Sequence, residues 1–133
     1  MNNSNITKVG TVLYGLVIGF FGVNHFMNAS GFATTVPSFF HGAEFWVYLT
    51  GAALIAAAIA IITGKQARLA GLLLAAFLII IVLTIHLPAV INAPDPAASR
   101  VPLTNLIKDL GLAAAALLIA GKAPSTASRA SMG

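Results

Sequence analysis

Polar and apolar residues fall along this chain in long blocks. Four apolar runs, at 9–27, 44–63, 67–87 and 103–121, dominate it. Each is close to the roughly 20 residues that a helix needs to cross a bilayer. The pattern predicts an all-α protein, an integral membrane four-helix bundle. Only Gly64, Lys65 and Gln66 separate the second run from the third, so those two form an antiparallel hairpin. The connections at 28–43 and 88–102 are longer. Residues 1–8 form a polar tail without a basic leader region, and no small-residue cleavage site follows the first run. The first run is therefore expected to be a retained span. The end, 122–133, is Ser/Ala-rich and reads as a disordered tail.

Small residues predict how the spans meet. Gly15, Gly19 and Gly22 make one smooth stripe on the first run, and His25 continues it. Such stripes let neighbouring backbones approach closely. Gly71, Ala75, Ile79, Val82 and His86 share a face of the third run. Asn105, Asp109, Ala113, Ala116 and Ala120 share a face of the fourth. Three faces expected to turn inward thus each carry a polar group towards one end of the bundle. The connection at 28–43 is apolar for a loop, with Phe32, Val36, Phe39 and Phe40 broken by Pro37. It reads as an interfacial connector or a lid over the helix ends.

Composition agrees with the pattern. The 133 residues are 59% hydrophobic and 8% charged, against about 25% charged in soluble domains. The chain has no cysteine, which removes disulfides, thiol catalysis and Cys-ligated zinc or iron–sulfur centres. The net charge is +4, but its cations stand singly and do not interleave with aromatics, so no nucleic-acid partner is expected. Lys8, Lys65, Arg68, Lys122 and Arg129 fall on one side of the predicted bundle, and Arg100 and Lys108 on the other. The positive-inside bias puts both termini in the cytoplasm. The expected location is a bacterial cytoplasmic (inner) membrane. Glu44, Asp95 and Asp109 fall on the outer side, near a belt of Phe39, Phe40, Phe45, Trp46 and Tyr48.

Several short motifs resemble the DoxX-like family of small four-helix membrane proteins. They are Gly22-Val23-Asn24-His25-Phe26, Val36-Pro37, Phe45-Trp46-Val47-Tyr48-Leu49-Thr50-Gly51, His86-Leu87-Pro88 and Asn105-Leu106-Ile107-Lys108-Asp109-Leu110. The resemblance covers about 9–121. It implies the same bundle and a membrane oxidoreductase setting linked to quinol. One departure stands out: members often carry a Glu shortly after the Gly of the second span, where this chain has Leu54.

The candidate chemistry lies at the outer helix ends. Ionisable groups there are costly unless paired, wetted or functional. His25 and His86 arrive at similar depth. Together with Asp109 they are the candidate proton-exchanging set, and Glu44, Trp46, Asn105 and Lys108 are candidate ligand-binding residues. Thr104 or Asn105 is placed to cap the last helix, and Asp109 to meet its N-terminal dipole. Lys108 needs a partner, with Glu44 and Asp109 as candidates. Glu44 also suits a helix start, and Trp46 an interfacial anchor. No metal site is expected, since no helix carries a paired-His motif. No nucleophile triad is suggested by spacing. The functional expectation is a redox-associated subunit without an intrinsic cofactor. It binds a quinone or small lipophilic ligand and works with a redox partner protein or as a homo-oligomer. The alternatives are a non-enzymatic membrane scaffold for a partner complex and a small-molecule transporter.

Overall fold

A computed structural model describes residues 2–124. Among them the regular structure is entirely helical. The elements run in order as α1 (Asn3–Met27), α2 (Ala29–Ala33), α3 (Ala43–Thr63), α4 (Ala67–Ile81), a π-helical segment (Val82–His86), α5 (Leu87–Ile91) and α6 (Pro96–Lys122). The π segment joins α4 to α5 without a break, so Ala67–Ile91 forms one rod. Four helices are thus long and apolar enough to cross a membrane, the make-up of a multi-pass membrane protein. Of the tail expected at 122–133, Lys122 still belongs to α6, and 125–133 lie outside the described residues.

All four spans are present, but their boundaries move. Helix α1 begins six residues before the expected span, at Asn3, with Asn2 Oδ1 accepting the Asn5 N–H at 2.8 Å. Helix α6 begins at Pro96 and not near Leu103. Asp95 is its cap, with Oδ1 accepting the Ala98 N–H at 2.8 Å. Neither Thr104 nor Asn105 is an N-cap, and Asp109 is not in a first turn. The connection expected at 88–102 shrinks to Asn92–Asp95.

Both ends of that shortened connection involve a proline that the helix passes through. Pro102 sits inside α6, at the price of one backbone hydrogen bond. Pro88 follows the π segment. Its ring crowds the carbonyl four residues back and it brings no N–H. The helix widens there: the Leu87 N–H reaches back five residues to the Val82 carbonyl. A wider turn accommodates the ring and lets the rod continue to Ile91.

Packing follows the small-residue stripes. Helices α1 and α3 run antiparallel and approach most closely at Gly22 and Gly51. A Cβ on Gly22 would stand 2.9 Å from the Gly51 carbonyl oxygen, and one on Gly51 would stand 2.9 Å from the Gly22 carbonyl oxygen. Gly15 faces Ile62, whose side chain fills the place a Cβ would take. Helices α4 and α6 form the second close pair, in which a Cβ on Gly71 would lie 2.8 Å from the Ala116 carbonyl oxygen. Ile18, Leu54, Ala58, Ile61, Leu74, Ala75, Leu78, Ala113 and Ala116 form the shared core between the pairs. Of the predicted α4 face, Gly71, Ala75 and Val82 are buried, whereas Ile79 is exposed. Most large apolar side chains point outward, Phe20, Leu73 and Leu118 among them, as the bilayer allows.

Candidate functional site

His86 and Asp109 meet in the half of the bundle remote from the 64–66 turn. His86 closes the π segment, nineteen residues beyond Ala67, or ~28 Å along a helix. That rise is close to the ~30 Å of a bilayer core. Asp109 lies on α6, thirteen residues before Lys122, or ~20 Å along it. The two residues are therefore not level along the bundle. Side chains lean toward the N-terminus of their own helix, and α4 and α6 are antiparallel. His86 consequently leans down the bundle and Asp109 leans up, and the groups meet. The His86 Nε2 lies 2.9 Å from Asp109 Oδ2, with the ring N–H donating to the carboxylate.

The carboxylate is well enclosed. Asp109 is 7% exposed, the one charged or polar residue in the buried set among the described residues. Its second oxygen, Oδ1, lies 3.7 Å from Lys108 Nζ. Lys108 points away from Asp109 on the helix surface, and its side chain is 43% exposed. Its flexible stem nevertheless brings the ammonium back to the carboxylate, and also over the Phe21 ring of α1 at 4.8 Å from the centroid. The cation is thus shared between an anion and an aromatic face. Of the two partners considered for Lys108, the structure selects Asp109. Glu44 lies exposed in the first turn of α3. An isolated Asp at mid-bilayer costs about 3 kcal/mol on insertion scales, and the His86 N–H and the Lys108 charge offset that cost directly. Among the described residues no buried side-chain nitrogen or oxygen lacks a hydrogen-bond partner.

The remaining candidates divide. Asn105 is half-buried one turn from Asp109 on the same face. His25 is held by its own surroundings: its Nδ1–H donates to the Phe21 carbonyl at 2.6 Å, and its ring stacks on Phe32 of α2 at 4.5 Å between centroids. Neither a hydrogen bond nor an ion pair joins it to His86 or Asp109. The expected three-way set is thus a His86–Asp109 pair with Lys108, and His25 supports α2 beside it. Trp46 donates its indole N–H to the His41 carbonyl at 3.1 Å and packs edge-on against Phe40 and Phe45. That arrangement suits an interfacial anchor, away from the pair. Among the described residues no three His, Asp or Glu side chains gather closely enough to hold a metal ion.

Tyr14 escaped the sequence reading. Its hydroxyl donates to the Leu112 carbonyl of α6 at 2.6 Å, tying α1 to the helix that carries Asp109. A phenol in the middle of an apolar run must find an acceptor, and that was the available signal. The π segment left a weaker one, Pro88 two residues beyond a histidine.

Residues 14–121 match the family described as a domain of unknown function, DUF8561. No curated protein and no solved structure matches the chain.

Proposed function

We propose that this chain, which belongs to the DUF8561 family, is a redox-associated membrane protein that binds a quinone or a small lipophilic ligand of similar chemistry beside the His86–Asp109 pair. The observation that carries this reading is a buried carboxylate held between an imidazole N–H and an ammonium inside a membrane-spanning bundle. A quinone headgroup presents two carbonyl acceptors and requires protons on reduction. Lys108, nearly half exposed, supplies a donor to one carbonyl. With its Nε2–H engaged by Asp109, His86 supplies the other donor from Nδ1 when the ring carries a second proton; that proton passes to the reduced headgroup, and the Asp109 carboxylate holds the charged ring until then. The chain carries no electron carrier of its own in this reading, so electrons come from the ligand or a partner protein.

The same reading has both termini in the cytoplasm, in a bacterial inner membrane, with the pair toward the outer face. The cation distribution supports that orientation: Lys8, Lys65, Arg68 and Lys122 cluster at the end that carries both termini. The DoxX-like motifs around His25, Trp46, His86 and Asp109 support the redox setting by resemblance. Titration of the detergent-purified protein with a quinone analogue tests it. His86→Ala is expected to weaken binding by about tenfold or more. Unchanged affinity removes the reading.

A further inference from the structure

The two close helix pairs leave a looser seam between α3 and α4. A groove of about 420 Å³ opens there, lined by Thr50, Ala53, Ala57, Gln66, Leu73 and Phe77 among others. Glycine closes the α1–α3 and α4–α6 contacts, whereas on its α3 side this seam is faced by Ala53, Ala56 and Ala57, whose methyl groups do not fill it. We propose that the groove binds one acyl chain of an anionic phospholipid, with the lipid phosphate at the 64–66 turn.

Three observations point to that occupant. The first is length. The groove follows α4 from Gln66 to Phe77, ~16 Å along the helix axis. Half of a ~30 Å hydrocarbon core is about the same, so the groove has the reach of one leaflet and ends where the opposite leaflet begins. The second is lining. Apart from Thr50 at the deep end and Gln66 at the mouth, every lining residue is apolar, which suits a chain and not a headgroup. The third is charge. Lys65 adjoins the mouth and Arg68 follows one turn on. Lys8 and Lys122 lie at the same end of the bundle. No Asp or Glu occurs at that end among the described residues, since Glu44, Asp95 and Asp109 belong to the other half. Lys65 and Arg68 are exposed. Arg68 donates one N–H to the Ala120 carbonyl of α6 at 3.3 Å, so it adds positive charge at this end of the bundle, and Lys65 is the cation beside the mouth. Anionic headgroups attract such juxtamembrane cations.

This site is remote from His86 and does not depend on the ligand proposed there. Native mass spectrometry of the full chain in mild detergent tests it, with phosphatidylglycerol or phosphatidylcholine of the same chains added. One phosphatidylglycerol per chain is expected to be retained about tenfold more tightly than phosphatidylcholine. Ala53→Leu with Ala56→Leu fills the groove from α3, and Leu73→Trp fills it from α4. Both are expected to abolish retention, and Lys65→Gln with Arg68→Gln to erase the headgroup preference. His86→Ala is expected to retain lipid like the unaltered chain. Equal retention of the two lipids, or full retention by both groove-filled variants, overturns the proposal.

Discussion

Asp109 is where a single side chain decides most. A carboxylate this enclosed is tolerable because His86 and Lys108 each address one of its oxygens. Removing the acid leaves an imidazole N–H and an ammonium without their acceptor, and a stranded buried donor costs about 1–3 kcal/mol. Asp109→Ala should therefore lower the thermal stability of the detergent-solubilised protein by that order. Asp109→Asn, which keeps an acceptor oxygen, should lose less. A calorimetric or fluorescence melting series on the two variants decides. The sequence indicated that Lys108 needed an anion but left two choices. Residue spacing points Lys108 away from Asp109, and only its long flexible stem closes the distance. For His25 the face is legible, since its Cβ stands on the glycine stripe against Gly51. Its partner is not, because its Nδ1–H is taken one turn back by the Phe21 carbonyl.

At the scale of elements, glycine sets how closely the helices approach. Gly22 and Gly51 face each other's carbonyl oxygens so closely that neither has room for a methyl group. Gly51→Val should destabilise the bundle by about 1–3 kcal/mol through overpacking. Gly111 meets nothing within 4 Å, and Gly111→Ala should be neutral or stabilising by about 0.5–1 kcal/mol. Chemical or thermal unfolding of both variants in one detergent checks the contrast. The glycine stripe of α1 was legible because a run of small residues at helical spacing has one packing use. Helix ends were not. The connection expected at 88–102 begins and ends on a proline, and in both places the helix passes through it: by widening at the π segment before Pro88, and by giving up one backbone bond at Pro102. Leu87-Pro88 therefore lies inside a continuous rod, and His86 owes its place to that widened turn.

For the whole molecule, the segregation of charge makes a topological claim. If both termini are cytoplasmic, the 64–66 turn is too. The chain has no cysteine, so single introduced thiols report cleanly. Lys65→Cys should react with a membrane-impermeant maleimide only after the cell membrane is opened. Ser99→Cys, in the first turn of α6, should react on intact spheroplasts. The reverse pattern would invert the bundle and put the His86–Asp109 pair on the cytoplasmic side. The count of spans and their grouping into a bundle were legible in the sequence, because hydrophobic length is a physical requirement of the bilayer. The order of tight and loose contacts was not, because it depends on which small residues happen to face each other.

That order has a further consequence. Glycine locks α1 to α3 and α4 to α6, while α3 and α4 meet at a looser seam with small alanines on the α3 side. The polypeptide is therefore organised as two tightly joined pairs that share one core and the Tyr14–Leu112 hydrogen bond, linked covalently through residues 64–66. Severing the chain there should leave two fragments that insert separately and reassociate when co-expressed, since the nick breaks none of the glycine contacts.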